Sequence, residues 1–369
     1  MERIHRGDKL INVDSLQRDW IYEVKAHIKR SEPQTIEKLL RAYYLCEQLS
    51  LSGLDFIFKG GTCLTLLTNE ARRFSTDVDI ITEVDKPELE TRLGIVCQAG
   101  EFTAFELDER RSYKQGIPKA HYAMKYKSVV DQQDKDIQLD ILFTESHYSQ
   151  IQGTPIVSDY VKADGDPIKV QTPTLAALMG DKLTAFAPTT VGVPYGRAKE
   201  REIIKQLYDL GVMFDMFPPF EVIAATYRAF VEAEISYRAE NKISREDVLK
   251  DTLKACEVIA RRDNQLSGDD TAHFNEIEVG FRQFYQFPIN DIFRIEQALA
   301  VCGKVSFVAA KLLVDDLCEI IQPPQELNRN DWMIPNENQN FNFLNRKLRG
   351  GSPEAQFYWY KALELLGEL

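Results

Sequence analysis

Phe56 to Ile80 reads FIFKGGTCLTLLTNEARRFSTDVDI. Phe56, Ile57 and Phe58 form a short apolar run that fits a buried strand, and Gly60-Gly61 ends it with a turn that glycine adopts without strain. Cys63 to Leu67 suits one or two helical turns. After Arg72-Arg73, the segment Asp77-Val78-Asp79-Ile80-Ile81 alternates and then runs apolar. That pattern predicts a strand with both carboxylates on one face and Val78 on the other. Two like charges held so close require a cation.

Paired carboxylates are hard oxygen donors and suit Mg²⁺ (or Mn²⁺), an ion that keeps waters and completes its shell with substrate phosphates. The Gly60-Gly61-Thr62 turn supplies what such phosphates need, because the N–H groups at a helix start have no intrahelical partner and the helix dipole favours an anion there. The Thr62 hydroxyl adds a phosphate contact or a helix cap.

The run Gly60-Gly61-Thr62 followed by Arg73-Phe74-Ser75-Thr76-Asp77-Val78-Asp79 resembles the core motif of the DNA polymerase β-like nucleotidyltransferases. Within that superfamily it is most similar to the AbiEii/AbiGii toxins of bacterial toxin–antitoxin and phage-defence systems. The resemblance covers Leu54 to Leu210. It implies an α+β fold, in which an N-terminal nucleotidyltransferase domain with a mixed sheet flanked by helices precedes a mainly helical C-terminal region. It also implies an EC 2.7.7-type enzyme that moves a nucleotide from an NTP to an acceptor hydroxyl, with the 3′ end of a tRNA as the expected acceptor and a cognate antitoxin as the expected partner. Asp77 and Asp79 would hold the metal, Gly60, Gly61 and Thr62 would cradle the phosphates, and Ser75 would contact a phosphate oxygen.

Farther along, Ile137-Gln138-Leu139-Asp140-Ile141-Leu142-Phe143 places one Asp inside an otherwise apolar strand, where an unpaired charge is costly. A buried cation, several hydrogen bonds or a metal would each account for it. The polymerase β-like pattern puts a third acid on a neighbouring strand, and by resemblance Asp140 is that third metal carboxylate. Thr174 to Ala187, TLAALMGDKLTAFA, is strongly helical, with Lys182 beside the apolar stripe. From the residues alone Lys182 is a solvated lysine. The toxin family carries a Lys in a comparable setting, which by resemblance makes Lys182 a catalytic contact to the NTP phosphates. Arg197, Arg201, Lys205 and Asp209 recur at i,i+4 spacing on the next helix, as an ion-pair ladder or a substrate-facing stripe. The family's K-x-x-x-D-L motif matches here, so Lys205 carries over as a nucleotide contact and Asp209 as a catalytic acid.

Around this centre the sequence reads as follows. Asp14 to Arg30 and Glu32 to Leu51 form helices, as does Pro87 to Cys97, while Phe102 to Leu107 and His121 to Lys127 form strands. Beyond Phe220, helical spacing recurs at Val222 to Ala233, Arg245 to Ala260, Glu276 to Tyr285, Ile292 to Val301 and Val305 to Ile320, and the chain ends in a helix from Pro353. Pro218-Pro219 marks a boundary, giving a catalytic domain over 1–217 and a helical domain over 218–369.

The 369 residues suffice for two cores, and the net charge of −12 argues against a protein that coats nucleic acid nonspecifically. A local basic patch is still compatible with RNA, and Arg72, Arg73, Arg197 and Arg201 are its candidates. The six cysteines and five histidines show no disulfide framework and no zinc spacing. No apolar run long enough for a membrane span or a signal peptide is present, so no membrane partner and a cytoplasmic location are expected. Two other functions fit the same motifs: a non-catalytic NTP-binding regulator, and a protein-interaction module in which the motif is vestigial.

Overall fold

The structure is a computed structural model and describes residues 8–28, 30–68, 72–112, 117–238, 242–262, 266–289 and 292–369. Two compact units result. The first takes the chain up to Thr174 and takes back the segment beginning at Gln286; the second holds Leu175–Tyr285 and Ile292–Leu369.

The first unit comprises β1 (Asp8–Ile11), α1 (Arg18–His27), α2 (Pro33–Leu51), β2 (Ile57–Lys59), α3 (Gly60–Leu67), β3 (Val78–Thr82), α4 (Lys86–Gln98), β4 (Ala104–Leu107), α5 (Glu109–Ser112), β5 (Lys119–Lys127), β6 (Asp134–Phe143), β7 (Ile151–Pro155), β8 (Ala163–Asp164), β9 (Asp166–Pro167) and β10 (Lys169–Pro173). Its main sheet is seven-stranded, in the order β4-β5-β6-β3-β2-β10-β7, and a small sheet joins β8, β1 and β9. β3 runs parallel to β6 and β2 parallel to β10, while the other neighbours are antiparallel, so the sheet is mixed. The resemblance implied this architecture, an α+β fold with helices flanking a mixed sheet.

Period-two alternation in the central strands separates two faces. Phe58, Val78, Ile80, Leu139, Ile141 and Tyr122 are buried in one core with α1 and α2. Each such side chain contributes about 1.5–3 kcal/mol by leaving water. A one-residue slip would exchange the faces, so burial fixes the register that aligns the polar residues between them. The β5–β6 hairpin is anchored at its turn, where buried Glu37 of α2 accepts from the Ser128 hydroxyl at 2.6 Å and from the Val129 N–H at 2.9 Å. Arg41, one turn along α2, bonds Glu37 at 3.4 Å and stacks over the Tyr126 ring at 4.2 Å.

The second unit contains α6 (Leu175–Ala185), α7 (Glu200–Phe214), α8 (Phe220–Ser236), α9 (Arg245–Arg261), α10 (Asp269–Phe284), α11 (Ile295–Leu313), α12 (Phe343–Lys347) and α13 (Pro353–Leu365). α6 packs on α7 and α8, α7 on α10, and α11 on α7, α9 and α13. Pro218 and Pro219, where the sequence suggested a domain boundary, therefore fall inside this unit, at the start of α8. The expected helices Ile292 to Val301 and Val305 to Ile320 form one helix that stops at Leu313. Gly303 does not break it, because it is a contact point, where a Cβ would run into the Trp359 ring of α13. No helix among the described residues is long and apolar enough to cross a membrane.

Candidate active site

Four strands contribute one polar row. Lys59 of β2 is paired with Asp79 of β3, Asp79 with Asp140 of β6, and Asp140 with His121 of β5. Residues paired across strands share a face, so these four side chains stand on the face opposite Phe58, Val78 and Ile80. The sequence predicted Asp79 and Asp140 as partners, and the register brings them side by side. Lys59 and His121 were not assigned roles. Their signal lay in the alternation, each being a polar residue next to a buried aromatic, Phe58 or Tyr122, but the row itself depends on register.

Asp77 stands just before β3, half-buried like Asp79. Asp140 is held from two sides. His121 Nδ1 lies 2.6 Å from its Oδ1, and Arg111 lies 3.4 Å from its Oδ2. The Asp140 side chain remains 26% exposed, so the carboxylate is reachable from solvent.

The glycine pair is packed against this row. Gly60 has a φ of +80°, and a Cβ on it would overlap the Asp79 carboxylate. A Cβ on Gly61 would overlap the Arg73 guanidinium and the Ser75 hydroxyl. Both positions therefore require glycine for close approach, and Gly60 also for its backbone. The N-cap residue of α3, Lys59, makes no side-chain cap hydrogen bond, and the first N–H groups of a helix have no intrahelical partner.

Thr62 differs from expectation. It is fully buried, and its hydroxyl donates to the Asp77 carbonyl at 2.6 Å, so it ties α3 to the acidic strand and does not cap the helix. Beneath it, Thr65 donates to the Thr62 carbonyl at 2.7 Å and shares a 2.7 Å hydrogen bond with Tyr43, whose phenol burial pushes up. Arg73 is 3% exposed and donates to the Phe74 carbonyl, so it is a wall of the turn and not a surface contact to nucleic acid; Arg72 is exposed. The returning segment clamps this loop: Phe74 donates to the Phe287 carbonyl at 3.2 Å, and Ile289 donates to the Arg72 carbonyl at 2.9 Å. Nothing in the sequence pattern announced that return.

Lys182 and Asp209 belong to the second unit, where they pair at 2.8 Å with 8% and 1% of their side chains exposed. Lys182 also donates to Gln206 Oε1 at 3.2 Å. The lysine is thus buried, not solvated, and Asp209 does not continue a ladder with Lys205. Lys205 instead pairs with Glu202 at 3.3 Å, and Arg201 with the same carboxylate at 3.0 Å. Burial works to raise the Glu202 carboxyl, but Lys205 and Arg201 outweigh it and hold it below the usual range. Arg197 is exposed.

Among the described residues, no three His, Cys, Asp or Glu side chains converge as a preformed metal cage. Asp79 and Asp140 nevertheless fit Mg²⁺, which binds through one or two carboxylates plus substrate phosphates and has no need of an all-protein cage. Two adjacent carboxylates beside a glycine turn at a helix N-terminus match a metal-bound polyphosphate in charge and donor type.

The profile of the family described as "Nucleotidyl transferase AbiEii toxin, Type IV TA system" matches residues 43–288. No curated protein matches this sequence. Among solved structures, JHP933 from Helicobacter pylori is 16% identical with a TM-score of 0.40, over 78% of this chain and 94% of that one. An antigenic nucleotidyltransferase-like protein from Paracoccidioides brasiliensis is 14% identical with a TM-score of 0.35, over 57% of this chain and 96% of that one. The family match spans the glycine turn, both acidic strands, Lys182 and Asp209, and this chain belongs to the AbiEii family of nucleotidyltransferase toxins.

Proposed function

We propose that this chain transfers a nucleotide from an NTP to the 3′ hydroxyl of a tRNA, as the toxin of a phage-defence toxin–antitoxin pair. The observation that carries this reading is the register of Asp79 with Asp140, on the face where Gly60 packs against Asp79. Asp79 and Asp140, with Asp77 at the strand start, would hold Mg²⁺ or Mn²⁺, which would neutralise phosphate charge and polarise the α-phosphate. The N–H groups of Gly60, Gly61 and Thr62 at the start of α3 bind the triphosphate, and the dipole of α3 favours its charge. The acceptor oxygen forms a bond to the α-phosphorus, the bond to pyrophosphate breaks, and the hydroxyl proton passes to the solvent-reachable Asp140 carboxylate. Ser75 lies against Gly61 and lines the same turn. Lys182, Lys205 and Asp209 are further residues required for transfer, on the family's pattern.

The test incubates each α-labelled NTP in turn with total tRNA and Mg²⁺ or Mn²⁺. Label should appear on tRNA with the native chain and vanish with Asp77→Ala. Growth arrest on expression should vanish with the same variant and be relieved by the cognate antitoxin. Nucleotide binding without any label on tRNA would replace this reading with that of a non-catalytic regulator. An RNA acceptor also predicts affinity that falls steeply with salt.

A further inference from the structure

His121 stands at the end of the polar row, on β5, and nothing in the family motif calls for it. We infer that His121 is a positioning residue that fixes the orientation of the Asp140 carboxylate, so that Asp140 meets a divalent cation and its nucleotide in one defined pose. The inference rests on the metal and nucleotide reading of this site.

The geometry supports it from three directions. The Nδ1 to Oδ1 separation of 2.6 Å is that of a short hydrogen bond, in which the imidazole Nδ1–H donates to the carboxylate in the tautomer that carries its proton there. That bond occupies one carboxylate oxygen and sets the plane of the group. The residue is itself anchored, since the His121 backbone N–H donates to the Ser112 hydroxyl at 2.8 Å, and the ring is enclosed, with 11% of the side chain exposed. Finally, Nε2 is buried, and among the described residues no hydrogen-bond partner reaches it.

The orphaned nitrogen separates a structural role from a functional one. Burying a ring nitrogen without a partner costs free energy, which an apolar residue of similar shape at the same position would avoid. For stability alone an aromatic hydrocarbon would serve better on this strand, which favours aromatic residues. What the imidazole adds is the bond to Asp140. Metal-binding carboxylates are commonly oriented in this way by a partner that does not touch the metal, and losing such a partner typically lowers metal affinity about 10–100-fold. Arg111 cannot substitute for it, because its contact to the other oxygen is longer, at 3.4 Å, and the Arg111 side chain is 46% exposed.

The experiment measures Mn²⁺ binding by electron paramagnetic resonance in the presence of a non-hydrolysable NTP analogue, together with the thermal midpoint of each protein. His121→Phe keeps the ring and removes the donor; His121→Asn keeps a side-chain N–H near the position of Nδ1. With Phe, Mn²⁺ affinity should fall about tenfold while the thermal midpoint holds or rises, and Asn should recover most of the affinity. Mn²⁺ binding by His121→Phe equal to that of the native chain overturns the inference, as does equal weakness of Phe and Asn, which would assign the effect to ring shape. Asp79→Asn separates this failure from failure of the site reading. If the native chain binds Mn²⁺, Asp79→Asn does not, and His121→Phe does, the site stands and the positioning role falls. If Asp79→Asn binds Mn²⁺ as the native chain does, both fall.

Discussion

The acids of the first unit and the acid of the second occupy opposite electrostatic settings. Asp79 and Asp140 are neighbours of like charge on adjacent strands, half-buried and reachable from solvent. Asp209 is 1% exposed and has its counter-charge, Lys182, at 2.8 Å. A like-charge pair open to solvent favours a cation from solution, beside the side chains that already reach it, Arg111 and His121 on Asp140. A closed pair is neutral as it stands and loses stability if either member is removed. On the proposed function the first setting binds the metal and its nucleotide, whereas the second holds the helices of its unit together.

The largest expected effect follows from the open setting. Asp79→Asn should reduce nucleotide transfer by ~10⁴-fold or more, the scale seen when one member of a catalytic unit is removed. Because asparagine keeps the shape of this half-buried side chain, the thermal midpoint should change far less than the activity. Loss of activity accompanied by a large drop in midpoint would mean that the acid row is structural, and the contrast between the units would collapse.

The closed setting predicts the reverse coupling. Lys182→Met removes the buried counter-charge of Asp209 and should cost about 3–5 kcal/mol in urea unfolding. The double variant Lys182→Met with Asp209→Leu should regain most of that stability, because an apolar pair can replace a buried ion pair, while transfer stays lost. Recovery of transfer in the double variant would reduce the pair to scaffolding.

Much of the open site was legible in the sequence because its signals are local. Gly60-Gly61, the alternation of Asp77-Val78-Asp79 and the lone charge of Asp140 inside an apolar strand each need only a few neighbours to be read. What was not legible depended on distant residues. β7 and β10 pair with each other and close one side of the sheet, yet Lys169–Pro173 offers only a short alternation of Val170 and Thr172, which gave no reading. The small β1 sheet and the clamp from Phe287 and Ile289 onto Arg72 and Phe74 join residues far apart in sequence. Asp209 was named from sequence, but i,i+4 spacing pointed to Lys205 as its companion. Helix rotation decided otherwise by turning Asp209 into the core, towards Lys182. Tertiary packing likewise made one helix of the two expected around Gly303.

Intermediate effects test how the glycine turn supports the open setting. Gly61→Ala must displace the Arg73 guanidinium or the Ser75 hydroxyl. Overpacking of that kind costs about 1–3 kcal/mol, and transfer should fall further than stability because the phosphate-binding N–H groups move with the turn. Thr62→Val keeps the shape and removes the donor to the Asp77 carbonyl. It should cost about 1 kcal/mol and lower kcat more than nucleotide affinity. Equal activity in Thr62→Val would show that the position of Asp77 does not depend on this bond.

The smallest effect concerns Lys205, whose setting lies between the two extremes. Its ammonium is partly exposed and shares Glu202 with Arg201, and partly exposed pairs contribute at most about 1 kcal/mol. Lys205→Met should therefore change unfolding free energy at neutral pH by only about 0.5 kcal/mol. The pH dependence gives a sharper readout. Glu202 has a depressed carboxyl when folded, so its contribution is fully present above its unfolded value of 4.5 and is lost as pH falls through the lower folded value. Removing Lys205 raises the folded value towards 4.5, and the acid-side loss of stability, compared at pH ~6 and pH ~3.5 by urea unfolding, should shrink. If Lys205 also contacts nucleotide, as the family's pattern implies, the same variant raises KM for NTP several-fold with kcat little changed. An unchanged KM beside the flattened pH profile would leave Lys205 as the partner of Glu202 alone and confine the functional charge of α7 to Asp209.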